Sequence, residues 1–120
     1  RYGTVTGVQT CALPICTHDN DTSRGWIRVL SPEVRARFVR VAGADLRRPE
    51  EALVRMAWGS PARTAIASMQ DLLGLGPEAR LNTPGVPEGN WVWRMAPGAS
   101  GKALAARLRA LTADTGRLPG

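Results

Sequence analysis

The sequence predicts a protein of the α/β class, and three observations support this prediction. Two amphipathic helical segments come early in the chain, a short apolar segment follows them, and a leucine-based helix comes after a loop rich in proline and glycine. Helix, helix, strand, loop and helix, in this order, are typical of an α/β piece. The length of 120 residues sets an upper limit of one small domain.

The first 16 residues, RYGTVTGVQTCALPIC, follow neither the helical nor the strand period. Within them, residues 5–15 (VTGVQTCALPI) resemble the translation of a common sequencing-library adapter, and the final base of that adapter would convert a glycine codon into the codon of Cys16. We therefore expect residues 1–16 to be a foreign, adapter-derived segment that is not part of the fold. The first methionine is Met56, which predicts that the chain begins inside a longer reading frame.

A polar stretch precedes the first predicted helix. Residues 17–26, THDNDTSRGW, are rich in Asp, Asn and Thr, whose side chains bond to their own backbone, so we expect a loop. The helix that follows is indicated by Ser31 as its cap, Pro32 at its first position and Gly43 at its end. Its apolar residues recur at helical spacing and are Val34, Phe38 and Val41.

A second amphipathic helix is predicted from about Pro49 to Trp58, with Gly59 at its end. Residues 63–69, RTAIASM, come next and form a short, mostly apolar run. We predict a buried parallel strand there, although the periodicity alone also allows a helix.

The last part of the chain is predicted to contain a helical turn, a loop, an extended segment and a final helix. Residues 72–75 form the turn. Residues 82–90, NTPGVPEGN, contain two prolines, two glycines and two asparagines, and this composition predicts a loop. Residues 91–93, WVW, are expected to be extended. A helix from about Ser100 to Ala113 is built on Leu104, Leu108 and Leu111.

The net charge of +6 raises the question of nucleic-acid binding. The basic residues are almost all arginine, with Lys102 the only lysine, and they are scattered over several predicted helices without interleaved aromatic residues. This pattern favours solvated helix faces over a nucleic-acid surface.

Cysteine usage and hydropathy exclude further classes. Cys11 and Cys16 are the only cysteines, and neither has a second pair or a histidine at zinc spacing, so the sequence supports neither a metal site nor a disulfide framework. No segment approaches the roughly 18 consecutive apolar residues of a membrane helix, and the N-terminus lacks the order of a signal peptide. We therefore expect a soluble, cytoplasmic protein.

The densest group of titratable and hydrogen-bonding residues is His18, Asp19, Asn20 and Asp21, which includes the only histidine. A solvated Asx-turn ahead of a helix is one interpretation of this group. Metal binding is another, although the chain lacks the glycine and the later glutamate of a calcium loop. The residues alone leave these alternatives open.

Four motifs in order make this chain similar to the amylomaltase (4-alpha-glucanotransferase) family. That family carries THDNDT, QDxLGLG, ARMNxPG and EGNWxWR, and this chain has THDNDTSRGW and then SMQDLLGLGPEARLNTPGVPEGNWVWR. The departures are small, with Leu81 where Met is usual and Val86 where Thr is usual. The family also has Gly before Thr-His-Asp, at the position of Cys16.

This resemblance implies a (β/α)8 TIM barrel, of which residues 17–120 would form the C-terminal part, about the last two β/α units. It also implies a retaining transfer of a 1,4-alpha-glucan segment to glucose or another glucan, without a cofactor or metal. Asp19 would be the catalytic carboxylate that holds substrate hydroxyls, and His18 would bind the same sugar. The nucleophile and the acid/base would lie on strands that this chain lacks, so the fragment alone is expected to be inactive.

The implied partners are maltooligosaccharides or a starch- or glycogen-type glucan, and neither nucleic acid nor a membrane. Asn82 is a further candidate for substrate binding, because amide groups and aromatic faces suit carbohydrate. Trp91 and Trp93 either line a sugar subsite or pack between helix and barrel. We expect His18 and Asp19 to lie at the same sheet edge as Gln70, with residues 82–84 reaching toward them.

Two other functions remain as alternatives at this stage. One is a small basic module that binds nucleic acid or protein, with THDND as a helix cap. The other is a close relative that debranches or hydrolyses glucans. The ordered motifs favour the transferase over both.

Overall fold

A computed structural model describes residues 12–119 of the chain, with side chains from residue 15 onward. Its elements, in chain order, are β1 (Ala12–Pro14), α1 (Ser23–Val29), α2 (Pro32–Ala42), α3 (Pro49–Trp58), β2 (Thr64–Ile66), α4 (Met69–Leu72), a 3-10 turn (Pro77–Ala79) and α5 (Lys102–Asp114). The α/β class is confirmed. Within residues 12–119 there are two strands, which do not form a barrel by themselves.

The two strands run parallel. Ala12 pairs with Thr64 and Pro14 with Ile66, and the Ile15 N–H donates to the Ile66 carbonyl at 2.9 Å. The predicted parallel strand within residues 63–69 is therefore confirmed over Thr64–Ile66, but its predicted burial is wrong, because Thr64 and Ile66 are exposed. A parallel strand is buried when both faces of its sheet are covered, which the two-stranded sheet of residues 12–119 does not achieve. Strand β2 has a parallel partner, as a β/α barrel requires.

The pairing of β1 differs from the prediction that residues 1–16 lie outside the fold. Residues 12–14 belong to the sheet, while residues 1–11 lie outside the described part of the chain. Backbone hydrogen bonds between strands do not depend on side-chain identity, so any short extended run can occupy an open strand edge. This pairing therefore leaves the foreign origin of residues 1–16 as a prediction.

Helix α1 corrects the predicted loop over residues 17–26. The Thr22 hydroxyl accepts a hydrogen bond from the Gly25 N–H at 3.2 Å and begins the helix. The buried Asp71 carboxylate accepts from the Ser23 N–H at 2.8 Å. These two acceptors satisfy N–H groups that a helix start leaves free, and the polar composition did not reveal them.

Helices α2 and α3 confirm the two predicted amphipathic segments. Ser31 caps α2 by accepting from the Val34 N–H at 3.3 Å, and Gly43 ends it in the left-handed conformation with φ +62°. Helix α3 covers the predicted range from Pro49 to Trp58. The capping serine, the prolines at the first positions and the glycines at the ends were sufficient to predict the bounds of both helices.

Helix α3 lies at the centre of the packing and contacts α1, α2, α4, α5 and β2. Its buried residues are Pro49, Glu50, Val54 and Ala57. Glu50 accepts two hydrogen bonds from the Arg24 guanidinium, Nε to Oε2 at 3.0 Å and Nη2 to Oε1 at 2.9 Å. This two-point ion pair joins α3 to α1.

The last part of the chain departs from prediction in two places. The helical turn begins at Met69, ahead of the predicted range of 72–75, because the Ser68 hydroxyl caps it by accepting from the Asp71 N–H at 3.2 Å. Residues 91–93 do not form a strand, and Trp91 has φ +61°. The final helix is confirmed within two residues of its predicted bounds.

Helix α5 is held against α3 by side-chain contacts. The Trp58 indole N–H donates to the Thr112 hydroxyl at 3.2 Å, and the Arg117 guanidinium donates to the carbonyls of Ser60 and Ala62 at 3.0 and 2.7 Å. Across residues 12–119, the helices are too short or too polar to cross a membrane.

Candidate active site

The segments that follow β1 and β2 meet at one edge of the parallel strand pair. Residues 16–22 come after β1, and residues 67–70 come after β2. Most residues of these two segments, together with Ile66, Arg80 and Leu81, line a cavity of about 230 Å³. His18 and Gln70 both line it, as expected from the sequence, because the carboxyl ends of parallel strands lie at the same edge.

Asp19 lies beside this cavity and does not line it. Its Oδ1 accepts a hydrogen bond from the Asn82 amide at 2.7 Å and lies 3.3 Å from His18 Nε2. Half of the Asp19 side chain is exposed. The predicted approach of residues 82–84 to Asp19 is therefore confirmed, and the structure brings the three candidate residues together across 63 positions of sequence.

Asn20 and Asp21 shape the turn on which His18 and Asp19 sit. The Asn20 side-chain oxygen accepts from the Thr17 N–H at 2.9 Å and from the Thr17 hydroxyl at 2.8 Å. Asp21 accepts from the Thr22 N–H at 2.7 Å. The Asx-turn interpretation thus fits Asn20, while His18 and Asp19 stay available to a ligand. Within residues 12–119, no group of three or more His, Cys, Asp and Glu side chains is arranged to hold a metal ion.

Arg80 connects the two halves of the site and was missed by sequence reasoning. Its Nη2 donates to the Asp19 carbonyl at 2.8 Å, and its Nε donates to the Asn82 carbonyl at 2.9 Å. A planar guanidinium offers these donors in a fixed geometry, so it holds the Asp19 turn and the Asn82 loop at a set separation. The only sequence signal was its position two residues before Asn82 in the third motif.

Asp71 and Gln70 join the segments around the site through hydrogen bonds. Asp71 is 1% exposed, and besides capping α1 it accepts a weak hydrogen bond from the Cys16 thiol at 3.5 Å. Burial raises the pKa of that thiol, and the neighbouring Asp71 charge adds to the rise. Gln70 donates to the Ala79 carbonyl at 3.2 Å and so joins α4 to the 3-10 turn that precedes Arg80.

The tryptophans occupy different surroundings. Trp91 lies next to His18, with ring centroids 5.2 Å apart and planes tilted by 39°. Trp26 packs edge-on against Phe38, although its side chain stays 39% exposed, and Trp58 contacts α5.

A family model described as 4-alpha-glucanotransferase matches residues 6–100. The chain belongs to the 4-alpha-glucanotransferase family. The matched range includes part of residues 1–16, whose origin stays a prediction.

Relatives of the chain come from bacteria and plants. The 4-alpha-glucanotransferase of Thermus thermophilus is 45% identical over 108 residues, which cover 85% of this chain and 22% of that protein. The chloroplastic/amyloplastic 4-alpha-glucanotransferase of Arabidopsis thaliana is 43% identical over 108 residues, which cover 85% of this chain and 18% of that protein.

A solved amylomaltase from Streptococcus agalactiae, in complex with acarbose, superposes with a TM-score of 0.83 at 29% identity, covering 90% of this chain and 22% of that chain. The present chain therefore spans about a fifth of the length of the 4-alpha-glucanotransferases that it matches.

Proposed function

We propose that this chain is the C-terminal part of a (β/α)8 catalytic barrel, with β1 and β2 as its seventh and eighth strands. The full-length 4-alpha-glucanotransferase would transfer a segment of 1,4-alpha-glucan to glucose or to another glucan. Maltooligosaccharides and starch- or glycogen-type glucans are the proposed substrates. Family membership supports this proposal, and so does the acarbose, a glucan-like ligand, in the Streptococcus agalactiae amylomaltase.

One observation carries the assignment of the site. The half-exposed Asp19 carboxylate is held beside His18 by the Asn82 amide, at the edge where two parallel strands end. This edge is where β/α barrels place their catalytic residues. An ionised carboxylate accepts hydrogen bonds from sugar hydroxyls, and imidazole and amide groups can fix the same sugar.

The proposed reaction is a retaining double displacement. A carboxylate nucleophile forms a covalent glycosyl intermediate as a carboxylic acid protonates the leaving oxygen. The same residue, now a carboxylate, then acts as base for the acceptor hydroxyl, which attacks the intermediate and releases the nucleophile. Other parts of the full-length protein would supply these two groups. Asp19 would hold the sugar as its ring distorts toward the oxocarbenium state, so its hydrogen bonds strengthen in the transition state.

The arginines give little support to the alternative of a nucleic-acid module. Several guanidinium groups are occupied by partners within the protein, either carboxylates or backbone carbonyls. These arginines are Arg24, Arg35, Arg80, Arg107 and Arg117. A phosphate-binding surface needs cationic groups that are free to meet the phosphates.

The test is Asp19→Asn in the full-length enzyme, with glucose release from maltotriose as the measurement. We expect turnover to fall roughly 100-fold or more, the scale for loss of a group that acts on the transition state. The fold should survive, because the new amide oxygen can still accept from Asn82. Asp45→Asn is the matched control, since it makes the same change at an exposed carboxylate in the loop between α2 and α3. Near-normal turnover in Asp19→Asn would contradict the proposed role.

A further inference from the structure

Trp91 adopts a backbone conformation that is costly for a bulky residue. Its φ is +61°, and it is the one non-glycine residue with positive φ among residues 12–119. In this region the Cβ approaches the neighbouring carbonyl oxygen, so a tryptophan remains there only where its surroundings enforce it. Such residues concentrate at active sites and ligand clamps.

The surroundings do enforce this conformation. The Trp91 N–H donates to the Leu81 carbonyl at 2.7 Å, next to Asn82. One residue earlier, the Asn90 side chain accepts from the Thr83 N–H at 2.8 Å and donates to the Val86 carbonyl at 2.7 Å. The loop is thus closed on itself and presents Trp91 at a fixed place beside the site.

The strained backbone presents an exposed ring. Trp91 is 53% exposed, so burial of this side chain within the chain does not explain why the strain is tolerated. Single exposed aromatic residues are common on protein surfaces. Here exposure coincides with strain and with a ring contact to His18, whose Nε2 lies 3.3 Å from the Asp19 carboxylate.

We infer that Trp91 is a stacking platform for a glucose ring of the bound glucan, next to the ring held by His18 and Asp19. This inference rests on the proposed function. A glucose ring has an apolar face of C–H groups and an edge of hydroxyls. The indole receives the apolar face of one ring, and the polar groups of His18 and Asp19 receive the hydroxyls of the neighbouring ring.

The test compares Trp91→Gly and Trp91→Phe with the parent full-length enzyme on maltoheptaose. Glycine suits the left-handed backbone and removes the ring, while phenylalanine keeps a smaller ring. We expect KM to rise roughly tenfold in Trp91→Gly and less in Trp91→Phe, with kcat changing less than KM. Because glycine relieves the strain, the Tm of Trp91→Gly should equal or exceed that of the parent.

The outcomes separate this inference from the proposed function. An unchanged KM in Trp91→Gly, with an active parent enzyme, overturns the platform and leaves the proposed function intact. A lower Tm in Trp91→Gly assigns the ring to packing and also overturns the platform. A parent enzyme that transfers no glucan overturns both proposals.

Discussion

Helices α2 and α3 are similar in sequence design but differ in their packing. Each has about three turns, begins with proline followed by glutamate, and ends at a glycine. Helix α3 buries Val54 and Ala57 and contacts most of the other elements, whereas none of the residues of α2 is buried.

The difference shows that helix formation and helix burial have separate causes. Caps, proline and glycine act within a few residues and set where a helix begins and ends. Burial requires a partner, and within residues 12–119 the only aromatic partner on the apolar side of α2 is Trp26, which contacts Phe38. On the same side, Val34 is 48% exposed and Val41 73% exposed. We expect other parts of the full-length enzyme to cover that side.

The largest expected contrast comes from the same deletion in both helices. Val54→Ala removes two buried methyl groups and leaves a cavity in α3, so it should lower the free energy of unfolding by about 2 to 3 kcal/mol. In the isolated 120-residue chain, Val41→Ala should change it by less than about 0.5 kcal/mol, because that side chain is already in water. Urea unfolding followed by tryptophan fluorescence measures both. Equal effects would mean that α2 is packed in solution.

A second pair compares the glutamates at the second position of each helix. Glu50→Ala removes the partner of Arg24 and should cost about 2 kcal/mol. Glu33→Ala should cost less, because Glu33 is exposed and bonds only locally. The same urea titration at neutral pH measures the loss in free energy of unfolding for each variant. A larger loss in Glu33→Ala than in Glu50→Ala would contradict the central role of α3.

The Glu33 effect should also depend on pH. Its own backbone N–H and the Ser31 hydroxyl hold the pKa of the Glu33 carboxyl below the ordinary value. The lowered pKa means that the stabilisation is full above the ordinary glutamate pKa and is lost as the pH falls through the lowered one. The difference in free energy of unfolding between the parent and Glu33→Ala should therefore shrink on acidification. A difference that stays constant with pH would contradict the hydrogen bonds to the Glu33 carboxylate.

The smallest expected effect concerns the end of α2. A side chain at Gly43 would meet nothing within 4 Å, so Gly43→Ala tests backbone strain alone. At φ +62° it should cost about 1 kcal/mol, and Gly43→Asn should cost about half as much because Asn tolerates this region. Thermal unfolding of the two variants measures both destabilisations. Equal values would mean that the end of α2 is frayed and carries no backbone strain.

The parts of the fold that sequence reasoning placed well are those fixed by nearby residues. Ser31 and Gly43 gave the bounds of α2 because both act through their own turn. Helix α1 was missed because the Asp, Asn and Thr residues of 17–26 predicted a loop. A Cβ at Gly25 would overlap the Asp21 carboxylate, so this glycine allows α1 to pack closely against the turn that precedes it. The second cap of α1, Asp71, lies 48 residues further along the chain, so no nearby residue indicated it.

The candidate site divides in the same way. The meeting of Asp19 with Asn82 could be anticipated, because the family resemblance supplied the barrel that places both at one edge. Arg80 could not, since its role depends on two carbonyl groups whose positions only the folded backbone sets. The conformation of Trp91 opposes the usual preference of its residue type, so no propensity would have predicted it.

The backbone of Trp91 also bears on how this position changes under mutation. Tryptophan has the single codon TGG, and one base change converts it to GGG, a glycine codon. Glycine is the residue that this φ accommodates without strain, so random mutation repeatedly offers a variant with a more relaxed backbone. In a lineage that no longer needed the ring, we expect the position to drift to glycine.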